Sequence, residues 1–148
     1  MQARVVMIFV FVSYNYSPNF NSPERWLKRT ESYNGLLDCL AKKNKVISLK
    51  QIDYEGKYEQ NGVEHHFVKF NSKPKYIHWQ LNNYVISLNP DIVFIQGLHE
   101  PLNVLHLGMI LHKKTKIIAQ NHAEKPANGL KKYAQKLADR CVDAYLFA

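Results

Sequence analysis

Polar side chains gather in three loops that each follow a predicted buried strand. The first loop, residues 14–21, and the helix start after it offer amide, hydroxyl and guanidinium groups: Asn15, Asn19, Asn21, Ser22 and Arg25. The other two loops, residues 96–100 and 120–125, offer His99, Glu100, Asn121, His122, Glu124 and Lys125. Groups of these types bind and orient polar substrates. Asn, Ser and Pro are also ordinary turn formers, so structural roles remain open for the first loop.

His122 is the sharpest single candidate for catalysis. Its imidazole, with an ordinary pKa near ~6.5, directly follows a predicted buried strand and can donate to a substrate hydroxyl or phosphate oxygen. A structural cap is the alternative. For His99, the alternative is that His99-Glu100-Pro101 only starts a helix. We expect the other histidines to be surface or packing residues, because their spacing matches no metal motif: His65, His66, His78, His106 and His112.

Several familiar catalytic signatures are absent from the sequence. The glycines are scattered and form neither GxGxxG nor a Walker loop, and there is no GxSxG elbow or paired-carboxylate motif. These absences disfavour a dehydrogenase, a P-loop enzyme and a serine hydrolase. Cys39 and Cys141 are far apart, so we expect no disulfide framework, no metal site and a reduced, cytoplasmic setting.

The elements that carry these loops alternate between strands and helices. Apolar runs predict strands at residues 5–13, 45–50, 91–96, 115–120 and 144–147, and Asn61-Gly62 predicts a hairpin within residues 52–70. Periodicity predicts helices at residues 22–43, 77–88, 101–111 and 127–140. We expect the helix at 101–111 to be deeply packed and the last helix to bury Leu130, Tyr133, Leu137 and Ala138.

This alternation predicts an α/β fold, a Rossmann-like open and mainly parallel sheet with helices on both faces. The 148 residues suffice for one domain. In such sheets, ligands bind outside the carboxyl ends of the strands, where the three polar loops lie. The chain ends within an apolar predicted strand, residues 145–148, which favours a piece of a longer protein.

The net charge of +8 favours binding of an acidic partner. Most of the lysines lie at predicted helix ends or on outward faces, so solvated surface explains most of the excess. A basic face on anionic lipid is the next interpretation, and nucleic acid comes third because no recognition motif accompanies the charge. No segment is long enough to span a bilayer.

The chain resembles the amino-terminal half of family 4 glycosyltransferases, which have the two-domain GT-B fold. The resemblance lies in the order of elements and in two segments, Pro90-Asp91-Ile92-Val93-Phe94-Ile95-Gln96-Gly97 and Lys116-Ile117-Ile118-Ala119-Gln120-Asn121-His122. The resemblance covers essentially the whole chain, including the Glu24-Arg25 helix start. It implies that this chain is the acceptor-side domain, without the carboxy-terminal domain that holds most of a nucleotide-diphosphate sugar donor.

The resemblance also implies roles for individual residues. His122 matches the family's histidine at the reaction centre, whereas Asn21-Ser22 stand where the family has Gly-Gly close to the donor diphosphate. We therefore expect transfer of a sugar to an acceptor hydroxyl, in cell-surface polysaccharide or glycolipid synthesis, with no cofactor and no metal. The acceptor is expected to be a sugar or lipid-linked, with peripheral contact at the inner membrane face. The alternative is a stand-alone, non-catalytic Rossmann-like or flavodoxin-like binding or regulatory module.

Overall fold

A computed structural model of the chain describes residues 6–70, 76–121 and 125–147. These residues form, in order, β1 (Ile8–Ser17), α1 (Pro23–Arg29), α2 (Glu31–Ala41), β2 (Lys45–Ile52), β3 (Gly56–Gln60), β4 (Val63–Phe67), α3 (Trp79–Ser87), β5 (Ile92–Gln96), α4 (Pro101–Ile110), β6 (Lys116–Asn121), α5 (Leu130–Asp139) and β7 (Ala144–Phe147). The predicted α/β class, a Rossmann-like open and mainly parallel sheet, is confirmed. The chain divides into two compact units, Met1–Lys69 (unit 1) and Phe70–Ala148 (unit 2).

Unit 1 contains four strands in the order β3-β4-β2-β1. Strands β1, β2 and β4 run parallel, and β3 pairs antiparallel with β4 at the edge. The predicted hairpin joins β3 to β4, where Asn61 and Gly62 have φ values of 53° and 81°. Positive φ at both central residues is what a tight hairpin turn requires, and this is why Asn-Gly marks it so well.

The first predicted strand and helix differ from the structure at their ends. Strand β1 continues to Ser17, beyond the predicted end at residue 13, so Asn15 lies in a strand and not in a loop. Its register against β2 shifts between Val12 and Tyr16, and this bulge lets polar residues stay paired with β2. The predicted helix at 22–43 is two helices, because the backbone of Thr30 leaves the helical conformation between them (φ −105°, ψ 18°). The Thr30 hydroxyl donates to the carbonyl of Trp26 (3.1 Å) at this junction.

Unit 2 is built from two consecutive β-α-β segments. Strands β5, β6 and β7 are parallel and adjacent in that order, with α4 and α5 as the connecting helices. Helix α3 precedes β5, and His78 caps it by accepting a hydrogen bond from the Leu81 N–H at Nδ1 (3.3 Å). The element order of this unit agrees with the sequence prediction.

The packing predicted for α5 is wrong for three of its four apolar residues. Leu130, Tyr133 and Leu137 are 87%, 65% and 46% exposed, and Ala138 is fully buried. Helix α5 packs on α4. Gly108 of α4 leaves room for Cys141, which follows α5. Amphipathic spacing predicts which side chains share a face, but the neighbouring helix decides which face is covered.

Helix α4 is also less deeply packed than predicted. Val104 and Leu107 are fully buried, whereas Leu102 and Met109 are 39% and 75% exposed. In the parts of the chain that the structure describes, no helix combines the length and apolar content needed to cross a membrane.

Candidate functional site

A cleft of about 370 Å³ in unit 2 opens where its three parallel strands end. Gly97 and Leu98 line it just after β5, Ala119 to Asn121 line it at the end of β6, and Tyr145 and Phe147 line it from β7. Its volume falls within the usual range of small-molecule sites, about 300–1,000 Å³. Its position is the one where open α/β sheets bind their ligands.

The opposite wall of the cleft is the polar face of α5. The lining residues Lys132, Gln135, Lys136 and Asp139 recur at the spacing of one helix face. Lys125, in the loop before α5, adds a third ammonium group to the lining. None of these three lysines has an ion-pair partner among the described residues. The lining therefore carries more positive than negative charge.

The carboxylate of the cleft is held by a tyrosine. The Tyr145 hydroxyl donates a hydrogen bond to Oδ1 of Asp139. Burial, followed by this hydrogen bond and the charge of Asp139, raises the pKa of Tyr145, so the phenol remains the donor at neutral pH. The ring centroids of Tyr145 and Phe147 lie 6.3 Å apart with their planes at 26°, and this stacked pair lines the cleft.

Two glutamines that line the cleft have different hydrogen bonding. Oε1 of Gln135 accepts from the backbone N–H of Ala127 (3.1 Å), so it holds the loop before α5. Oε1 of Gln120 is buried and has no hydrogen-bond partner among the described residues. A buried amide oxygen normally has a partner, because leaving it unsatisfied costs about 1–3 kcal/mol. Gln120 lines the cleft, and a turn of its side chain would let this oxygen accept a hydrogen bond from a ligand there.

The predicted site residues of unit 2 separate into three groups. Asn121 and Lys125 line the cleft together. His99 and Glu100, both among the described residues, are exposed and do not line it. Glu100 is the N-cap residue of α4, and its carbonyl accepts from Asn103 N (3.1 Å), as the helix-start alternative anticipates. His122 and Glu124 lie outside the described residues.

The predicted site residues of unit 1 lie at and after the end of β1. Ser22 caps α1 by accepting a hydrogen bond from Arg25 N at Oγ (3.3 Å). The Arg25 guanidinium donates to Oδ1 of Asn21 (3.4 Å). Asn15, in β1, and Asn19, in the following turn, are both exposed. The structure brings Asn21, Ser22 and Arg25 together as a hydrogen-bonded helix start.

Sequence reasoning missed the cleft residues supplied by α5. Their signal was present in the spacing of Lys132, Gln135, Lys136 and Asp139 along one predicted helix face. The expectation that the apolar face of this helix is inward leaves its polar face to solvent. Gln120 was missed because it closes a predicted strand. Among the described residues, no group of His, Cys, Asp or Glu side chains could hold a metal ion.

The chain was compared with models of protein families, with curated proteins and with solved structures, and no significant match was found in any of the three.

Proposed function

We propose that this chain is the acceptor-side domain of a glycosyltransferase, which moves a sugar from a nucleotide-diphosphate sugar to an acceptor hydroxyl. The observation that carries the proposal is Oε1 of Gln120, which is buried, has no partner among the described residues, and belongs to a cleft at the carboxyl ends of β5, β6 and β7. An acceptor hydroxyl would satisfy this oxygen once the Gln120 side chain turns into the cleft. The aromatic surface of Tyr145 and Phe147 gives a sugar ring an apolar face to pack on.

The main task of this domain in glycosyl transfer would be to position the acceptor. Glycosyl transfer needs the acceptor oxygen held close to the sugar carbon that loses the diphosphate, and alignment of this kind supplies much of the rate enhancement. We propose that Gln120 and Asn121 hold the acceptor, and that His122, the next residue in the sequence, acts on the reacting hydroxyl. The donor would be held mainly by a second domain, and transfer would take place in the cytoplasm, in polysaccharide or glycolipid synthesis.

The test uses the full-length protein that contains this chain, incubated with nucleotide-diphosphate sugars and sugar acceptors. We expect release of nucleoside diphosphate that depends on the acceptor. Gln120→Leu should raise the KM for the acceptor roughly 3- to 10-fold, as expected for one lost hydrogen bond, and leave the KM for the donor unchanged. Gln60→Leu is the matched control, because Gln60 is exposed on β3 of unit 1.

A second variant tests the proposed role of His122. His122→Ala in the full-length protein should lower kcat strongly while the thermal unfolding midpoint stays unchanged. The 148-residue chain alone should bind an acceptor sugar but not transfer to it. Sugar binding without any acceptor-dependent release by the full-length protein would contradict the transferase and favour the non-catalytic binding module.

A further inference from the structure

We propose that the ligand of the unit 2 cleft is a phosphorylated sugar, whose phosphate binds Lys132 and Lys136 of α5. This inference rests on the proposed function, because it names the class of acceptor that the cleft takes. The arrangement of charged side chains along the cleft wall supports this inference, and the net charge of the chain is not needed for it.

Lys132 and Lys136 are four residues apart on one helical face, and both line the cleft. Like charges at this spacing destabilise a helix, because the side chains are neighbours. Lys125 lines the same cleft, so three lysines contribute to one lining. An anion between them would relieve their repulsion.

The cleft has little negative charge of its own to offset these lysines. Asp139 is its one acidic lining residue among those described, and it accepts the hydrogen bond of the Tyr145 hydroxyl. No carboxylate in the described part of the chain lies within ion-pair distance of Lys125, Lys132 or Lys136. Ammonium groups on flexible stems bind phosphate as point charges, and charge-assisted hydrogen bonds of this kind are strong.

The side of the cleft formed by the strand ends carries groups that suit the hydroxyls and the ring of a sugar. Gln120 has a buried oxygen that a turn of its side chain would present to a hydroxyl, and the rings of Tyr145 and Phe147 offer an apolar surface. A molecule with hydroxyl groups on a ring and a phosphate at one end therefore matches both walls. Inorganic phosphate matches the lysines alone, and a neutral sugar matches the strand ends alone.

The experiment measures binding of glucose, glucose 6-phosphate, inorganic phosphate and UMP to the 148-residue chain by titration calorimetry at low salt. We expect glucose 6-phosphate to bind at least about tenfold more tightly than glucose or phosphate, the gain expected of charged hydrogen bonds. The double variant Lys132→Gln/Lys136→Gln should lose this preference. Lys113→Gln/Lys114→Gln removes the same charge from exposed lysines outside the cleft lining and should retain it.

Three outcomes would overturn the inference: equal binding of glucose and glucose 6-phosphate, a preference that survives Lys132→Gln/Lys136→Gln, or tighter binding of UMP than of the sugar phosphate. If glucose and glucose 6-phosphate bind equally and the binding still depends on Gln120, the proposed acceptor function stands and only the proposed phosphate site is contradicted. Lysine-dependent binding of the sugar phosphate, without transfer by the full-length protein, would support the inference and contradict the transferase. Thermal unfolding of each variant verifies that it is folded.

Discussion

The Nζ atom of Lys50 lies 5.6 Å from the centre of the Tyr33 ring, and Lys50 is only 6% exposed. Lys50 belongs to β2 and sits opposite the bulge of β1 between Val12 and Tyr16. The face of the aromatic ring is negative, so it attracts the ammonium group. Burial nevertheless lowers the pKa of Lys50 to about 8, because removal from water disfavours the charged form.

The first prediction is that Lys50→Met stabilises the protein at neutral pH. The folded pKa of about 8 is below the ordinary 10.5, so the unfolded chain binds more protons between these values and stability rises with pH through that window. At pH 7 the buried charge costs up to about 3 kcal/mol, and Met should recover roughly 1–3 kcal/mol of it. Urea unfolding at pH 7 and pH 10 measures the gain, which should shrink at the higher pH.

Lys45→Met is the matched control for this prediction. Lys45 begins the same strand and is exposed, so the same substitution there should change the free energy of unfolding by less than about 0.5 kcal/mol. A loss of stability in Lys50→Met at pH 7 would mean that the ring and the surrounding groups stabilise the ammonium more than burial destabilises it.

Lys50 also shows where prediction from sequence stops. The apolar runs predicted β2 and its neighbours, because alternation and β-branched residues are local signals. A lysine after such an apolar run predicts that the strand ends there, as in the predicted strand at residues 45–50. The bulge of β1 and the ring of Tyr33 that accommodate it come from residues far away in the sequence, so no local pattern contains them.

The candidate site was predictable to a similar extent. Asn121 and Lys125 could be identified because they follow a recognisable buried strand, and parallel strands end at a common edge. Lys132 and Lys136 share a predicted polar face, but amphipathic spacing alone does not determine which face of α5 is covered. The choice depends on the packing of Ala138 and Cys141 against α4, which is a tertiary contact.

The second prediction concerns acid stability, through a buried histidine of β4. His65 is 2% exposed, and its Nε2 has no hydrogen-bond partner among the described residues. Burial lowers the pKa of His65 to about 4, opposed by Asp38 and assisted by Lys50 and His66. The unfolded chain therefore binds more protons between pH 4 and 6.5, and stability should fall as pH falls through this window.

His65→Leu should remove this contribution. We expect the wild-type chain to lose roughly 2–3 kcal/mol more than the variant between pH 6.5 and pH 4, measured by urea unfolding. Comparing the two chains cancels the contributions of titrating groups that do not interact with His65. His112→Leu, at an exposed position, is the control and should keep the wild-type slope. Parallel pH profiles for His65→Leu and the wild type would contradict the prediction.

The third prediction concerns a buried hydrogen-bond network between α3 and α4. Asn82 Nδ2 donates to the carbonyl of Asn103 (3.2 Å) and contacts Nδ1 of His106 (2.8 Å). Oδ1 of Asn103 accepts from the backbone N–H of His78 (2.6 Å). These contacts satisfy polar groups in the interior of unit 2, so removing Asn82 leaves its buried partners without their donor.

Asn82→Ala should therefore lower the free energy of unfolding by roughly 2–3 kcal/mol. Asn83→Ala provides a control one residue away on the same helix, because Asn83 is exposed, and Ala there should be neutral or slightly stabilising. Chemical denaturation of both variants at pH 7 makes the comparison. Equal losses would contradict the prediction, because helix propensity favours Ala at both positions and only Asn82 belongs to the network.

The fourth prediction uses one substitution, Gly→Ala, in two helices with opposite expected results. Gly35 lies in α2, and an added Cβ there meets nothing within 4 Å among the described residues. Ala restricts the unfolded chain and favours the helix, so Gly35→Ala should raise the free energy of unfolding by about 0.5–1 kcal/mol.

Gly108 lies in α4, where an added Cβ would be 2.7 Å from both Cβ and Sγ of Cys141. Relief of this overlap requires α4 and the segment after α5 to move apart, so Gly108→Ala should lose roughly 1–3 kcal/mol despite the better helix propensity of Ala. Cys141→Gly in the Gly108→Ala background removes the obstructing atoms, and part of the loss should return. Thermal and urea unfolding of the three variants measure the effects. A stabilised Gly108→Ala variant would show that α4 and α5 are not held as closely as this contact requires.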